Sequence, residues 1–256
     1  MKKGADASRT FWICGVHPVR EALRVRLPGA REVLVCREGL KTEGLRELAA
    51  AAGIPARSST REELEKRSGS INHQGVALLV EGDPYFPLES FLEAPLEDVD
   101  PLLILDSVQD PQNLGALLRS GCFLGARGVI LPKDRSAGLT AAAVKVSAGA
   151  AAHLPLIRVG NLVRAMERVK EKGLWIVGLE LENALSLYEV DLSVPVALVL
   201  GNEEKGLRPL VRKHCDFLAR IPRCGPLQSL NVAAAGAVAL AEIQRRRSCR
   251  RASEPP

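Results

Sequence analysis

The apolar positions change period repeatedly along the chain. From Phe11 to Val80, short apolar runs alternate with stretches that are apolar every third or fourth residue. The longer period predicts amphipathic helices and the short runs predict buried strands. Val16 to Leu27 reads as a helix and Glu32 to Cys36 as a strand. Thr42 to Ala52 reads as a second helix, with Leu45, Leu48, Ala49 and Ala52 on one face, and Gly53-Ile54-Pro55 stops it. Thr60-Arg61-Glu62-Glu63 has the form of a capping box and starts a third helix. Gly75 to Val80 reads as a buried strand. Together these elements make a small α/β unit over residues 9–80.

From residue 101 the pattern is longer and more regular. Strands are predicted at Leu102 to Leu105, Gly128 to Leu131, Leu156 to Val159, Trp175 to Leu179, Val194 to Leu200 and Phe217 to Ile221. Helices are predicted at Asn113 to Leu124, Thr140 to Gly149, Leu162 to Lys172 and Leu230 to Arg247. Alternating strands and helices imply an α/β domain over 101–248 with a mostly parallel sheet covered on both faces. Between the two units, residues 81–100 carry prolines at 84, 87 and 95 and read as a linker, with one short helix near Leu88 to Leu92. Residues 249–256 read as a basic tail.

Charge sharpens that boundary. Residues 81–110 hold nine acids and no Lys or Arg, whereas 111–256 hold 21 Lys and Arg against 12 Asp and Glu. Such basic surface favours a polyanionic partner, RNA or DNA. For Arg245, Arg246, Arg247, Arg250 and Arg251 taken alone, a solvated tail is an equal reading. Aromatics are only 4%, so the core must be aliphatic. The six cysteines include no C-x-x-C pair and do not cluster with the four histidines, which argues against a zinc site or other metal. The Lys-rich start is no secretory leader and no apolar run reaches membrane-spanning length, so the chain reads as cytosolic with free thiols.

Three loops follow predicted strands and so share one sheet edge, where ligands sit in open α/β folds. The first is Asp106-Ser107-Val108-Gln109-Asp110-Pro111-Gln112-Asn113, running into a helix. A turn and an N-cap explain Asp110 and Asn113. They do not explain Arg119, a cation opposite the apolar stripe of Leu114, Leu117, Leu118 and Cys122. The second is Gly201-Asn202-Glu203-Glu204-Lys205-Gly206, which lacks the G-K-[S/T] ending of a phosphate loop. No GxGxxG dinucleotide fingerprint is present either. An acidic loop there suits a neutral or cationic ligand. The third runs from Ile221 to Val232, a strand end, a Gly-Pro loop and the start of an Ala-rich helix. It offers unpaired backbone groups and two small polar side chains, Ser229 and Asn231, as one wall of a pocket.

These three stretches resemble the three motifs of the SpoU-type (TrmH-like) RNA ribose 2'-O-methyltransferases of the SPOUT superfamily. The resemblance extends over residues 102–247 and includes Pro132-Lys133-Asp134-Arg135-Ser136 and Ser147-Ala148-Gly149-Ala150. Gly15 to Leu23 and Asn72 to Val76 resemble the small L30e-like RNA substrate-binding domain of one branch. By these motifs the nearest branch is the bacterial 23S rRNA guanosine 2'-O-methyltransferases acting on the peptidyl-transferase P-loop. The open alternatives are a tRNA or other-site rRNA ribose 2'-O-methyltransferase, or a non-catalytic RNA-binding relative.

The resemblance implies a C-terminal trefoil knot, a homodimer and S-adenosylmethionine (AdoMet) as cofactor, with no metal. Matched onto the motifs, Gly201, Ile221 and Leu230 would hold the cofactor, with Leu179, Glu180, Asn202 and Pro222 beside it. Arg119 would be the key catalytic residue, with Asn113, Glu203, Ser229 and Asn231 completing the site. The family proposal makes Arg119 the base, but a guanidinium is not deprotonated in proteins, so holding the neighbouring phosphate is the easier role. In the first unit, Arg20, Arg24 and His73 are candidate RNA contacts. Two positions depart from the family pattern: Ala233 stands where many relatives have Ser, and Arg223 where relatives often have Met.

Overall fold

The computed structural model describes residues 10–36, 42, 44–69, 73–94 and 100–253, with side chains to residue 249. Asn72, part of the acidic linker, and Arg250 and Arg251 therefore lie outside the described side chains. The strands are β1 (Thr10–Cys14), β2 (Ala30–Cys36), β3 (Ala56–Ser59), β4 (Val76–Glu81), β5 (Leu102–Leu105), β6 (Gly128–Pro132), β7 (Leu156–Val159), β8 (Trp175–Leu179), β9 (Leu185–Ser186), β10 (Val196–Leu200) and β11 (Phe217–Arg220). The helices are α1 (Val16–Arg24), α2 (Leu45–Ala51), α3 (Arg61–Ser68), α4 (Leu88–Glu93), α5 (Pro111–Phe123), α6 (Ala141–Val146), α7 (Leu162–Lys170), α8 (Pro209–His214) and α9 (Val232–Ser253). No described helix is long and apolar enough to cross a membrane. The chain forms two compact units: one is the chain to Pro84 with Leu139–His153, the other Tyr85–Gly138 with the chain from Leu154.

The first unit is a four-stranded sheet in the order β1-β4-β2-β3. β4 pairs antiparallel with β1 and β2, and β3 pairs parallel with β2. One face packs on α1 and α2 through Val33, Val35, Leu78, Val19 and Leu45, joined by Val144 of α6. Leu34 and Ala77 face the other way, onto Leu64 of α3. Half of the capping box forms: Thr60 Oγ1 accepts from Glu63 N–H at 3.2 Å, while the Glu63 carboxylate accepts from Ser59 Oγ at 2.9 Å in place of the Thr60 backbone N–H. Gly15 offers α1 no side-chain cap, and Gln74 Oε1 supplies one from a distance by accepting Val16 N–H at 3.0 Å. The two motifs of this unit thus meet. His73 is only 3% exposed and its Nδ1 accepts from Gly75 N–H, so it shapes this turn and is not an open RNA contact. β3 escaped the sequence reading because Ala56-Arg57-Ser58-Ser59 has no apolar run; its pairing with β2 makes it a strand.

The second unit is a seven-stranded sheet in the order β7-β6-β5-β10-β8-β11-β9, with every adjacent pair parallel. Leu102 and Ile104 point to a core shared with α4, α7 and α8. Leu103 points to the opposite face, where Gly121 of α5 leaves only 3.0 Å between its missing Cβ and Leu103 Cδ1. On that face α9 packs against both α5 and β10. Gly236 makes this possible: a Cβ there would sit 2.6 Å from Leu117 Cδ2 and 2.8 Å from Leu200 Cδ1. β10 is buried at every residue, as expected of a central parallel strand. It enters the sheet late, between β5 and β8. The edge strand β7 is screened by Phe86, whose N–H donates to Leu156 O at 2.7 Å.

Candidate active site at the carboxyl edge of the sheet

β5, β10, β8 and β11 are neighbours and run parallel, so the loops after Leu105, Leu200, Leu179 and Arg220 leave from one edge. The local sequence determines how each loop leaves. Asp110 caps α5 by accepting Gln112 N–H at 2.8 Å, with Pro111 at the first helical turn. That places Asn113, only 8% exposed, at the start of α5 and facing inward. Gly201 ends β10 because the chain folds back at once: a Cβ there would lie 2.4 Å from Gly206 C and 2.6 Å from Leu207 N. Asn202 N–H donates to Gly206 O at 2.9 Å, Gly206 N–H returns to Asn202 O at 3.0 Å, and Asn202 Oδ1 accepts from Glu204 and Lys205 N–H. Glu203 sits at the tip of this closed loop.

One hydrogen-bond network joins the three loops. Asn231 caps α9, its Oδ1 accepting from Ala233 N–H at 2.8 Å and Ala234 N–H at 3.3 Å. Its Nδ2 donates to Asn113 Oδ1 at 2.8 Å. Asn113 Nδ2 donates to Glu203 Oε1 at 2.9 Å, and Asn202 Nδ2 donates both to Glu203 Oε2 at 3.2 Å and to Ser107 O at 2.9 Å. Only one orientation of each amide satisfies this chain, because a flipped Asn113 would face NH2 to NH2 and oxygen to oxygen. All donors therefore point toward Glu203, and the negative end of the network is its carboxylate. Such aligned bonds reinforce one another.

Of the residues singled out in the sequence, Asn113, Asn202, Glu203 and Asn231 are thus brought together. Arg119 is not. It is exposed on α5 and its side chain makes no hydrogen bond or ion pair with another described residue. Six residues separate it from Asn113, which is about 9 Å along the helix and about a third of a turn around it. Ser229 is exposed and likewise unbonded. Leu179 ends β8 beside β11, where Glu180 N–H donates to Ala219 O at 2.9 Å and the Glu180 carboxylate approaches Arg212 Nε at 3.6 Å. Ile221 and Pro222 are half-buried, and Leu230 is 52% exposed. The backbone of residues 221–230 makes no hydrogen bond to another described residue, so its amides and carbonyls are available to a ligand.

One further arrangement carried no signal in the sequence. Asp106 is fully buried and accepts from Arg208 N–H at 2.8 Å, Arg208 Nε at 2.5 Å and Ser107 Oγ at 3.3 Å. An Asp and an Arg separated by 102 positions cannot be paired by inspection. Ser107 has φ 66, a left-handed conformation that is rare outside glycine. Among the described residues no group of three or more His, Cys, Asp or Glu could hold a metal ion.

A parallel sheet with a polar network and an unpaired loop at its carboxyl edge is where an open α/β fold takes its ligand. Comparison with known proteins makes this specific. Residues 100–241 match the SpoU rRNA Methylase family, and residues 12–86 match the RNA 2'-O ribose methyltransferase substrate-binding family. The chain belongs to the SpoU rRNA methylase family. It is 43% identical to the 23S rRNA (guanosine-2'-O-)-methyltransferase RlmB of Pseudomonas aeruginosa, over 92% of this chain and 96% of that one. Among solved structures it is similar to the SpoU methyltransferase AviRb of Streptomyces viridochromogenes in complex with AdoMet. That match has a TM-score of 0.80 and 26% identity, and covers 94% of this chain and 91% of the other. It is also similar to the AdoMet-bound rRNA methyltransferase of Sinorhizobium meliloti, with a TM-score of 0.77 and 26% identity over 93% and 87% of the two chains. The fold is accordingly the SPOUT fold, with its C-terminal trefoil knot.

Proposed function

We propose that the protein transfers a methyl group from AdoMet to the ribose 2'-hydroxyl of a guanosine in 23S rRNA, working as a homodimer in the cytoplasm. The observation that carries this reading is the network ending on Glu203 beside the 221–230 loop, with its unpaired backbone. It stands in a chain 43% identical, over nearly its whole length, to a 23S rRNA guanosine 2'-O-methyltransferase.

The residues at this edge fit AdoMet. Backbone groups of Gly201, Ile221 and Leu230 would hold its polar atoms; Leu179 and Leu230 would offer apolar surface for a purine, with Glu180, Asn202 and Pro222 as neighbours. AdoMet supplies a methyl group already activated on a sulfonium, a positive centre that the Glu203 carboxylate suits. The protein's own task is to hold the ribose and help remove one proton. Asn113 and Asn231, locked by the network, and the open Ser229 hydroxyl offer hydrogen bonds to it. Arg119 stays cationic and grips the adjoining RNA phosphate.

Two features favour the homodimer. Ala234, Val238 and Ala241 form an exposed stripe of small apolar residues on α9, and Phe123 at the end of α5 is 88% exposed. Arg119 also leaves α5 away from the network of its own chain, so a second copy would bring an arginine to each site. Sedimentation that finds only monomer would sink this part.

The decisive experiment incubates the protein with radiolabelled AdoMet and a 23S rRNA fragment, and maps 2'-O-methyl groups on rRNA and tRNA from cells lacking it. The expected result is a guanosine methyl missing from 23S rRNA. A missing tRNA methyl with an unchanged 23S profile would reject the substrate, and no transfer to any RNA would reject the activity.

A further inference from the structure

We propose that Asp106 and Arg208 are positioning residues that set Glu203 by clamping the loop that carries it against β5. The proposal rests on the reading of Glu203 as part of a methyl-transfer site.

The loop from Gly201 to Leu207 is tied at both ends to two consecutive residues at the end of β5. At its start, Asn202 Nδ2 donates to Ser107 O at 2.9 Å. At its end, the backbone N–H and Nε of Arg208 donate to the two oxygens of Asp106. The left-handed Ser107 aims its carbonyl at Asn202 while Asp106 aims its carboxylate at Arg208. Asp106 N–H also donates to Leu200 O at 2.7 Å, so β5 and β10 stay paired up to the point where the loop departs. Inside the loop, the reciprocal Asn202–Gly206 bonds and the close contact of Gly201 with Gly206 make it move as one piece. If the Arg208 end is released, it drags Asn202, which itself donates to Glu203. A fully buried carboxylate is costly unless paired, which is why the pair is kept closed. Arg208 uses Nε and its backbone for this; its outer nitrogens bond to no described residue and its side chain is 39% exposed.

The test compares R208M, R208K and D106N with wild type. Rates are counted per AdoMet-binding site measured by calorimetry, and amide exchange is followed at Asn202 and Gly206. R208M should lower kcat at least about tenfold, as small misplacements of reacting groups do, with KM for the rRNA fragment within about threefold. R208K should recover part of the loss, and Glu203→Gln added to R208M should cost little more, because both act on one step. Exchange at Asn202 and Gly206 should quicken at least about tenfold while Val199 in β10 keeps its wild-type rate. Unchanged kcat per site, or unchanged exchange, overturns the clamp. A rise in KM alone also overturns it, because Arg208 would then grip RNA directly through its outer nitrogens. If R208M does not fold, exchange in R208K decides. Failure of wild type to transfer methyl would sink the functional reading instead, and the exchange data would still judge the clamp.

Discussion

The substitution Asn113→Asp changes one atom type in the centre of the network. The new carboxylate can still accept from Asn231, but its second oxygen faces Glu203 Oε1, to which the wild-type Asn113 amide donates at 2.9 Å. The lost bond is one to a charged group, worth about 1.5–3 kcal/mol. Two carboxylates relaxed to about 4 Å repel by about 1 kcal/mol in a water-like medium and by about 4 kcal/mol at a protein surface, and this pair falls within that range because Glu203 is exposed but position 113 is buried. The variant should be less stable than wild type by at least about 3 kcal/mol at pH 8, whereas Asn113→Ala, which escapes the repulsion but also loses the bond from Asn231, should show a deficit of about 3 kcal/mol that does not change with pH. The like-charge pair also raises the folded-state pKa of one carboxyl above its unfolded value near 4. The folded state then binds the extra proton more tightly, so the deficit is smallest in acid and grows as pH rises through that raised pKa. Urea unfolding of the three proteins at pH 5 and pH 8 reads both effects. An Asn113→Asp deficit that does not change with pH, or wild-type stability at pH 8, would refute the directional network.

Arg119→Ala should abolish methyl transfer while AdoMet affinity by calorimetry stays near wild type; lost cofactor binding would show that Arg119 is not a substrate-side residue. Gly201→Ala drives a Cβ into the Gly206 backbone and should cost about 1–3 kcal/mol, measured by urea unfolding, together with cofactor affinity. Arg245 and Arg246 hold the Glu242 carboxyl at about 2, below its ordinary 4.5. Its contribution to stability is therefore present above about pH 4.5 and lost as pH falls toward 2, so the stability gap between wild type and Glu242→Gln should close in acid titrations. Burial pushes the Cys215 thiol up to about 12, whereas Cys224 lies exposed in the 221–230 loop. Iodoacetamide at pH 8 should label Cys224 and spare Cys215, and AdoMet should slow the labelling of Cys224; equal rates with and without AdoMet would move the cofactor away from that loop.

Periodicity alone located most elements of both units, since each buries one face and the spacing of apolar residues reports which. It failed where burial leaves no trace. β3 and β9 are short pieces with polar or isolated residues, made strands by pairing with β2 and β11. α8 begins at Pro209 after a turn and buries chiefly Val211. The predicted Thr140 to Gly149 helix exists as α6, yet its contacts are with the first unit, a packing choice that chain order does not reveal.

The functional residues divide along the same line. Asn113, Glu203 and Asn231 were legible through the resemblance of their loops to the SpoU-type motifs, whereas local spacing alone explained Asn113 as a turn and helix cap. Arg119 stood out as a cation opposite an apolar stripe, and it is indeed exposed and unpaired among the described residues. The sequence by itself therefore determined the elements, the shared loop edge and the residue types available there, because these follow from local spacing. Tertiary structure alone decided the order of the strands, the direction of the Asn231–Asn113–Glu203 relay and the Asp106–Arg208 clamp. These join positions about a hundred residues apart, and they arise because β10 inserts between β5 and β8, a long-range pairing that no local pattern encodes.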